Sequence, residues 1–116
     1  MVTRTIHDIM LCNNVIYKLL EQQISYPINV AYKIYKLKKE LDEIEQLMYD
    51  RWNILFGSDY DITTFTEEEI TLYNTTLQAQ LDVDLFELSI NQVTHNNTVE
   101  LTISEMETLY NFLESK

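Results

Sequence analysis

Residues 27–57 read PINVAYKIYKLKKELDEIEQLMYDRWNILFG. Pro27 and Gly57 are the only proline and the only glycine in the chain. Proline suits the first turn of a helix and glycine suits its end, so the two residues bracket a single helical span. Between them Ile34, Leu37, Leu41, Ile44, Met48, Trp52 and Leu55 recur every three or four residues. That period is helical and close to a heptad, with one slip. It predicts a helix over about 28–56, roughly 43 Å long at ~1.5 Å per residue. Lys33, Lys36, Lys38 and Lys39 come first, and Glu40, Asp42, Glu43 and Glu45 follow. Base before acid at i,i+4 is the weaker order for helix ion pairs. Packing of the apolar stripe, not charge, therefore has to hold this helix.

Upstream, Ile9, Asn13, Ile16, Leu20 and Ile24 keep a helical period, with Asp8 as the expected N-cap and Pro27 as the terminator. Two apolar stripes and a short connection predict an antiparallel helical hairpin over about 8–56. Asn13 falls inside the first stripe, where it needs hydrogen-bond partners and can pin the register. Lys38 is placed on the outer side of the second helix. That helix outruns the first, so Tyr49, Trp52 and Phe56 must pack on the C-terminal part or on a partner chain.

Downstream, Gly57 is expected to stop the helix in a left-handed conformation. Residues 57–65 read as a loop. Thr66 and Glu69 have capping-box spacing and open a third helix to about Gln80. Val83–Ile90 reads as a strand. Val99, Leu101 and Ile103 alternate as a second strand, so a β-hairpin is expected across 91–97. Ser104 and Glu107 suggest another capping box, opening a closing helix to about 115 with Met106, Leu109, Tyr110 and Leu113 inward. Residues 2–6 can add a third strand. The expected fold is α+β and mainly helical, one domain over 1–116, with helix, β-hairpin and closing helix in about 66–115.

The net charge of −11 is unevenly spread. Residues 1–39 carry six basic side chains against Asp8 and Glu21, whereas 40–115 carry seventeen acids against Arg51 alone. Such a surface repels phosphate backbones and attracts basic ones. Tyr32 and Tyr35 interleave with the lysines, an arrangement that can stack bases, but the acidic remainder disfavours nucleic acid as the partner. One glycine is too few for a phosphate-cradling loop. Cys12 is alone, which excludes an intrachain disulfide and reads as a buried structural thiol. His7 and His95 have no zinc spacing. Asp59 and Asp61 begin like a calcium loop, but Thr64 and Ile70 stand where glycine and glutamate are required. No nucleophile–base pair is legible, so the chain reads as non-enzymatic, without metal or cofactor. No signal-peptide core and no membrane span are expected. The sequons at Asn74 and Asn96 read as chance matches.

The stretches NNVIYKLLEQ, YPINVAYKIYKLKKELDEIE, LDVDLFEL and LTISEMETLYNFLE together resemble a family of small tailed-phage proteins without an assigned function. The resemblance implies action in the cytoplasm of an infected bacterium, or alternatively in the virion. It supplies no catalytic residues. The expected function is a protein-binding module that inhibits a host defence factor or another host protein. A virion or assembly component is the alternative, and a nucleic-acid-binding regulator the third reading. Candidate partner-binding residues are Tyr32, Tyr35, Tyr49, Trp52, Phe56, Asp59, Asp61, Glu67 and Glu68, because Tyr and Trp dominate interface hot spots and acids dominate the C-terminal two-thirds. The expected partner is a host or phage protein, with a homo-oligomer through the long helix as a further option.

Overall fold

The computed structural model describes residues 1–95 and 98–114. Its elements are strand β1 (Val2–Thr5), helices α1 (Ile6–Glu21) and α2 (Ile28–Phe56), a 3-10 turn (Ile62–Thr64), α3 (Glu67–Leu77), β2 (Gln80–Val83), the single-turn α4 (Ile90–Val93) and α5 (Ile103–Glu114). The fold is mixed α+β and dominated by helix. Its two-stranded sheet pairs β1 with β2 antiparallel, Val2 opposite Val83 and Thr5 opposite Gln80.

The long helix has the bounds its punctuation dictates. Pro27 sits at the N-cap with an extended backbone, and Gly57 caps the other end. Gly57 is not in the left-handed helical region expected for it. Its φ of 89° and ψ of 155° lie where only glycine is comfortable. A Cβ added there would meet no atom within 4 Å. Gly57→Ala is therefore expected to cost about 1–3 kcal/mol through backbone strain alone, read as a lowered denaturation midpoint with unchanged helicity. An unaltered midpoint would refute this.

α1 and α2 pack antiparallel. Asn13 reaches Asp42 and Glu45, Tyr17 reaches Asp42, and Leu20 shares a groove with Ala31 and Ile34. Their seam buries Ile9, Cys12, Ile16 and Leu19 against Val30, Ile34, Leu37 and Leu41. Leu88, Val93, Leu109, Phe112 and Leu113 join the same core from the C-terminal part. Burial pushes the Cys12 thiol up to about 12, an unreactive structural thiol.

α1 begins and ends earlier than its sequence suggests. Thr5, not Asp8, is the N-cap, and its hydroxyl accepts from the Asp8 amide. Gln23, at φ 51°, breaks the helix after Glu21, before Pro27 is reached. Leu20 is thus half exposed and Ile24 lies in the connection.

The expected β-hairpin across 83–103 does not form. The Asp84 carboxylate accepts from the Phe86 amide, and Phe86 and Glu87 both take positive φ, which no strand can accommodate. Ser89 and Gln92 then form a capping box that opens α4. The sequon at Asn96 and the tip of the expected hairpin include residues outside the described ones. Val99 and Leu101 do turn inward, but their backbone partner is a side chain: the Gln22 amide donates to the Glu100 carbonyl and accepts from its N–H. α5 is capped by Thr102 with Glu105, two residues before the expected Ser104. Within α5, Phe112 is buried, whereas Tyr110, expected inward, and Ile103 face outward. The hydrogen bond from Lys18 and the backbone bond of Thr102 together hold the Glu105 carboxyl down at about 2. Arg4 in β1 donates twice to the Phe112 carbonyl, supplying positive charge at the negative end of α5.

Candidate protein-binding surfaces

α2 extends past α1, and the overhang carries its own aromatic cluster, separate from the main core. Trp52 is 1% exposed, and its indole N–H donates to the Thr76 hydroxyl at 2.8 Å. Its ring lies 4.9 Å from Tyr73 and 5.8 Å from Tyr49. Phe56 stacks on Phe65 at 4.6 Å, and Tyr60 and Tyr73 flank Phe65. The overhang is thus covered by α3 and by the 57–65 loop of the same chain. This corrects the placement of Trp52 at a partner surface, because its side chain is internal. Phe56 is half-buried, and Tyr49 is the exposed edge of the cluster.

The cluster mounts an acidic end. Asp59, Asp61, Glu67 and Glu68 are all exposed. Asp61 is fixed by accepting from the Thr63 hydroxyl and amide, which holds its carboxyl below the usual range. Glu67 and Glu68 occupy the first turn of α3, where the helix dipole favours them. Glu69 folds back onto the Thr66 amide as the second half of the capping box, so it helps hold α3 rather than extend the acidic rim. Among the described residues, none of these carboxylates has a lysine or arginine within ion-pair distance.

Tyr32 and Tyr35 belong to a different surface. Both are exposed on the outward face of α2, near Ile28, and the Lys36 ammonium lies 4.3 Å from the Tyr32 ring centroid. From Tyr35 to Phe56 is roughly 31 Å along the helix. The nine candidate residues therefore fall into a proximal aromatic–basic face and a distal acidic end. Sequence reasoning missed three exposed members of the outward face, Ile28, Leu47 and Ile54. Their signal was present: each is an apolar residue off the inward stripe.

The lysine run is also divided. Lys38 is not on the outer side. It is buried at the hairpin seam, paired with Asp42 and 3.3 Å from the centroid of Tyr17. Burial raises the Asp42 carboxyl, but bonds from Lys38, Asn13 and Tyr17 outweigh this and hold it low. A basic grip on nucleic acid is left with Lys33, Lys36 and Lys39.

A polar groove of about 670 Å³ lies between β1, α1 and α5. Arg4 lines it but is engaged by the Phe112 and Thr3 carbonyls. No metal-ligating cluster of three His, Cys, Asp or Glu occurs among the described residues, and no described helix is long and apolar enough to cross a membrane. Comparison with protein-family models, curated proteins and solved structures returned no match to this chain.

Proposed function

We propose that the chain is a non-enzymatic binding module of phage origin that presents its acidic distal end to a basic surface of a host protein in the infected cell. The observation that carries this reading is the set of unneutralised carboxylates at Asp59, Asp61, Glu67 and Glu68 on an aromatic platform. Exposed charge of one sign speeds encounter with an oppositely charged partner and sets orientation. The phage setting rests on the resemblance of the helical hairpin and closing segment. An inhibitor of a defence or metabolic factor fits a module that occupies a basic groove.

The test is capture of a host protein by the tagged chain at about 0.1 M salt, where screening reaches about 10 Å. The control is the variant Asp59→Asn/Glu67→Gln/Glu68→Gln, which spares the structural bonds of Asp61 and Glu69. One stoichiometric host protein should bind the native chain, and binding should fall by at least about tenfold, or 1.4 kcal/mol, in the variant. Equal capture by the two chains, or no stoichiometric protein, would count against the proposal. The second reading, a virion or assembly component, is favoured by the unpartnered outward face of α2. Mass spectrometry of purified particles separates the two, since a virion part must occur there at fixed copy number.

A further inference from the structure

The outward face of α2 has apolar side chains at both ends and opposite charges on either side of its midpoint. Ile28 is 88% exposed and Ile54 84%, and Tyr35 and Leu47 are each more than 60% exposed. A 29-residue helix with this much exposed apolar surface is not explained by the fold, which uses the opposite face. Lys36 and Lys39 precede the midpoint; Glu43 and Asp50 follow it. All four are exposed.

We propose that this face is an isologous interface: two copies of the chain pair antiparallel through α2, with the two-fold axis at the level of Leu41. Residues whose numbers sum to 82 then lie at the same level on the two helices. Ile28 meets the level of Ile54 of the second copy, and Tyr35 that of Leu47. Lys39 stands beside Glu43, and Tyr32 beside Asp50. Each contact occurs twice, as two-fold symmetry demands. A parallel pair would instead set lysine against lysine and glutamate against glutamate, a repulsive arrangement. The basic-then-acidic order, the weaker one within a single helix, is what makes two antiparallel copies complementary. One helix face about 43 Å long and ~10 Å wide covers roughly 430 Å², less than the about 800 Å² per partner of a standard interface, so the dimer is concentration-dependent. This inference does not depend on the acidic end, which lies on other residues.

Light scattering on the full chain at about 100 μM and low salt tests it, a concentration above the micromolar Kd suited to a contact of this size. The expected mass is twice the chain's 13.8 kDa. Lys39→Glu alone and Glu43→Lys alone should each weaken self-association at least about tenfold, by placing like charges together. The exchange Lys39→Glu/Glu43→Lys should restore the dimer, because the swapped charges again meet across the axis. Both positions are exposed, so circular dichroism should show the same helicity in every variant. A monomer at this concentration would overturn the proposal. So would a dimer indifferent to the single reversals, or one that the exchange fails to rescue.

Discussion

Trp52→Ala is expected to destabilise the protein by about 3–5 kcal/mol, a large share of the 5–15 kcal/mol typical of a whole domain. The indole is fully enclosed, and removing it takes away the ring on which Tyr49 and Tyr73 pack. It also leaves the Thr76 hydroxyl without the N–H it accepts. The loss falls unevenly. α3 buries no residue completely, and Ile70 and Leu72 remain more than 40% exposed, so little else holds it to α2. Native-state hydrogen exchange should show residues 57–77 opening in the variant, while α1 amides beside Leu37 and Leu41 stay protected. Thr76→Val should cost less, about 1–3 kcal/mol, because it keeps the ring in place while leaving the buried indole N–H unpaired and removing the hydroxyl's bond to the Tyr73 carbonyl. Uniform loss of protection across α1 and α3 would mean that the aromatic cluster is not a separate unit.

Asn13→Asp should be comparably severe at neutral pH, and its cost should depend on pH. Asn13 is completely buried in the α1–α2 seam, and its amide nitrogen donates to Asp42 and Glu45 at 3.0 Å each. Ionised carboxylates only accept, so the nitrogen must face them. Its oxygen is then left without a partner. An aspartate here would put a third carboxylate against two others, with Lys38 already committed to Asp42. The new group would stay protonated in the fold, its pKa raised by burial and by like charge. Each unit of that rise is worth about 1.4 kcal/mol, so about three units up to pH 7 cost roughly 4 kcal/mol. The sign follows from linkage. Below the unfolded value of about 3.9 both states are protonated and the penalty vanishes. Above it the unfolded chain loses its proton and the fold does not, so stability relative to the native sequence falls as pH rises from 4 to 7. Chemical denaturation at pH 4 and pH 7 measures this, and an equal deficit at both would refute it. Asn13→Leu, which brings no charge and removes the orphaned oxygen, should be far milder.

How well each element could be foreseen tracks how local its cause is. α2 was legible to the residue because Pro27 and Gly57 punctuate it and the stripe from Ile34 to Trp52 faces inward throughout. The Thr66–Glu69 capping box was legible for the same reason. The sheet was not. β1 and β2 are some eighty residues apart, and their pairing follows from how α1 and α3 bring the strands together. The alternation of Val99 and Leu101 was read as strand because period two signals an inward-facing extended segment, and that much is true. What such a segment pairs with is decided in three dimensions, and here it is the side-chain amide of Gln22, bonded to the backbone of Glu100. Phe86 and Glu87 adopt positive φ without glycine, so nothing in their identity announced the turn. Of the candidate site, the acidic end was legible from composition. Ile28, Leu47 and Ile54 were legible as apolar residues off the inward stripe, whereas the extent of their exposure depends on how much of α2 the rest of the chain covers.

The aromatic cluster at the end of α2 also determines what a spectrometer sees. Trp52 is the only tryptophan, so its emission reports the environment between α2 and α3 and is nearly blind to the seam of α1 and α2. Far-ultraviolet ellipticity is dominated by α1, α2 and α5. The two signals therefore observe different regions of one chain. Where their unfolding curves separate, the gap measures how independently the distal cluster opens.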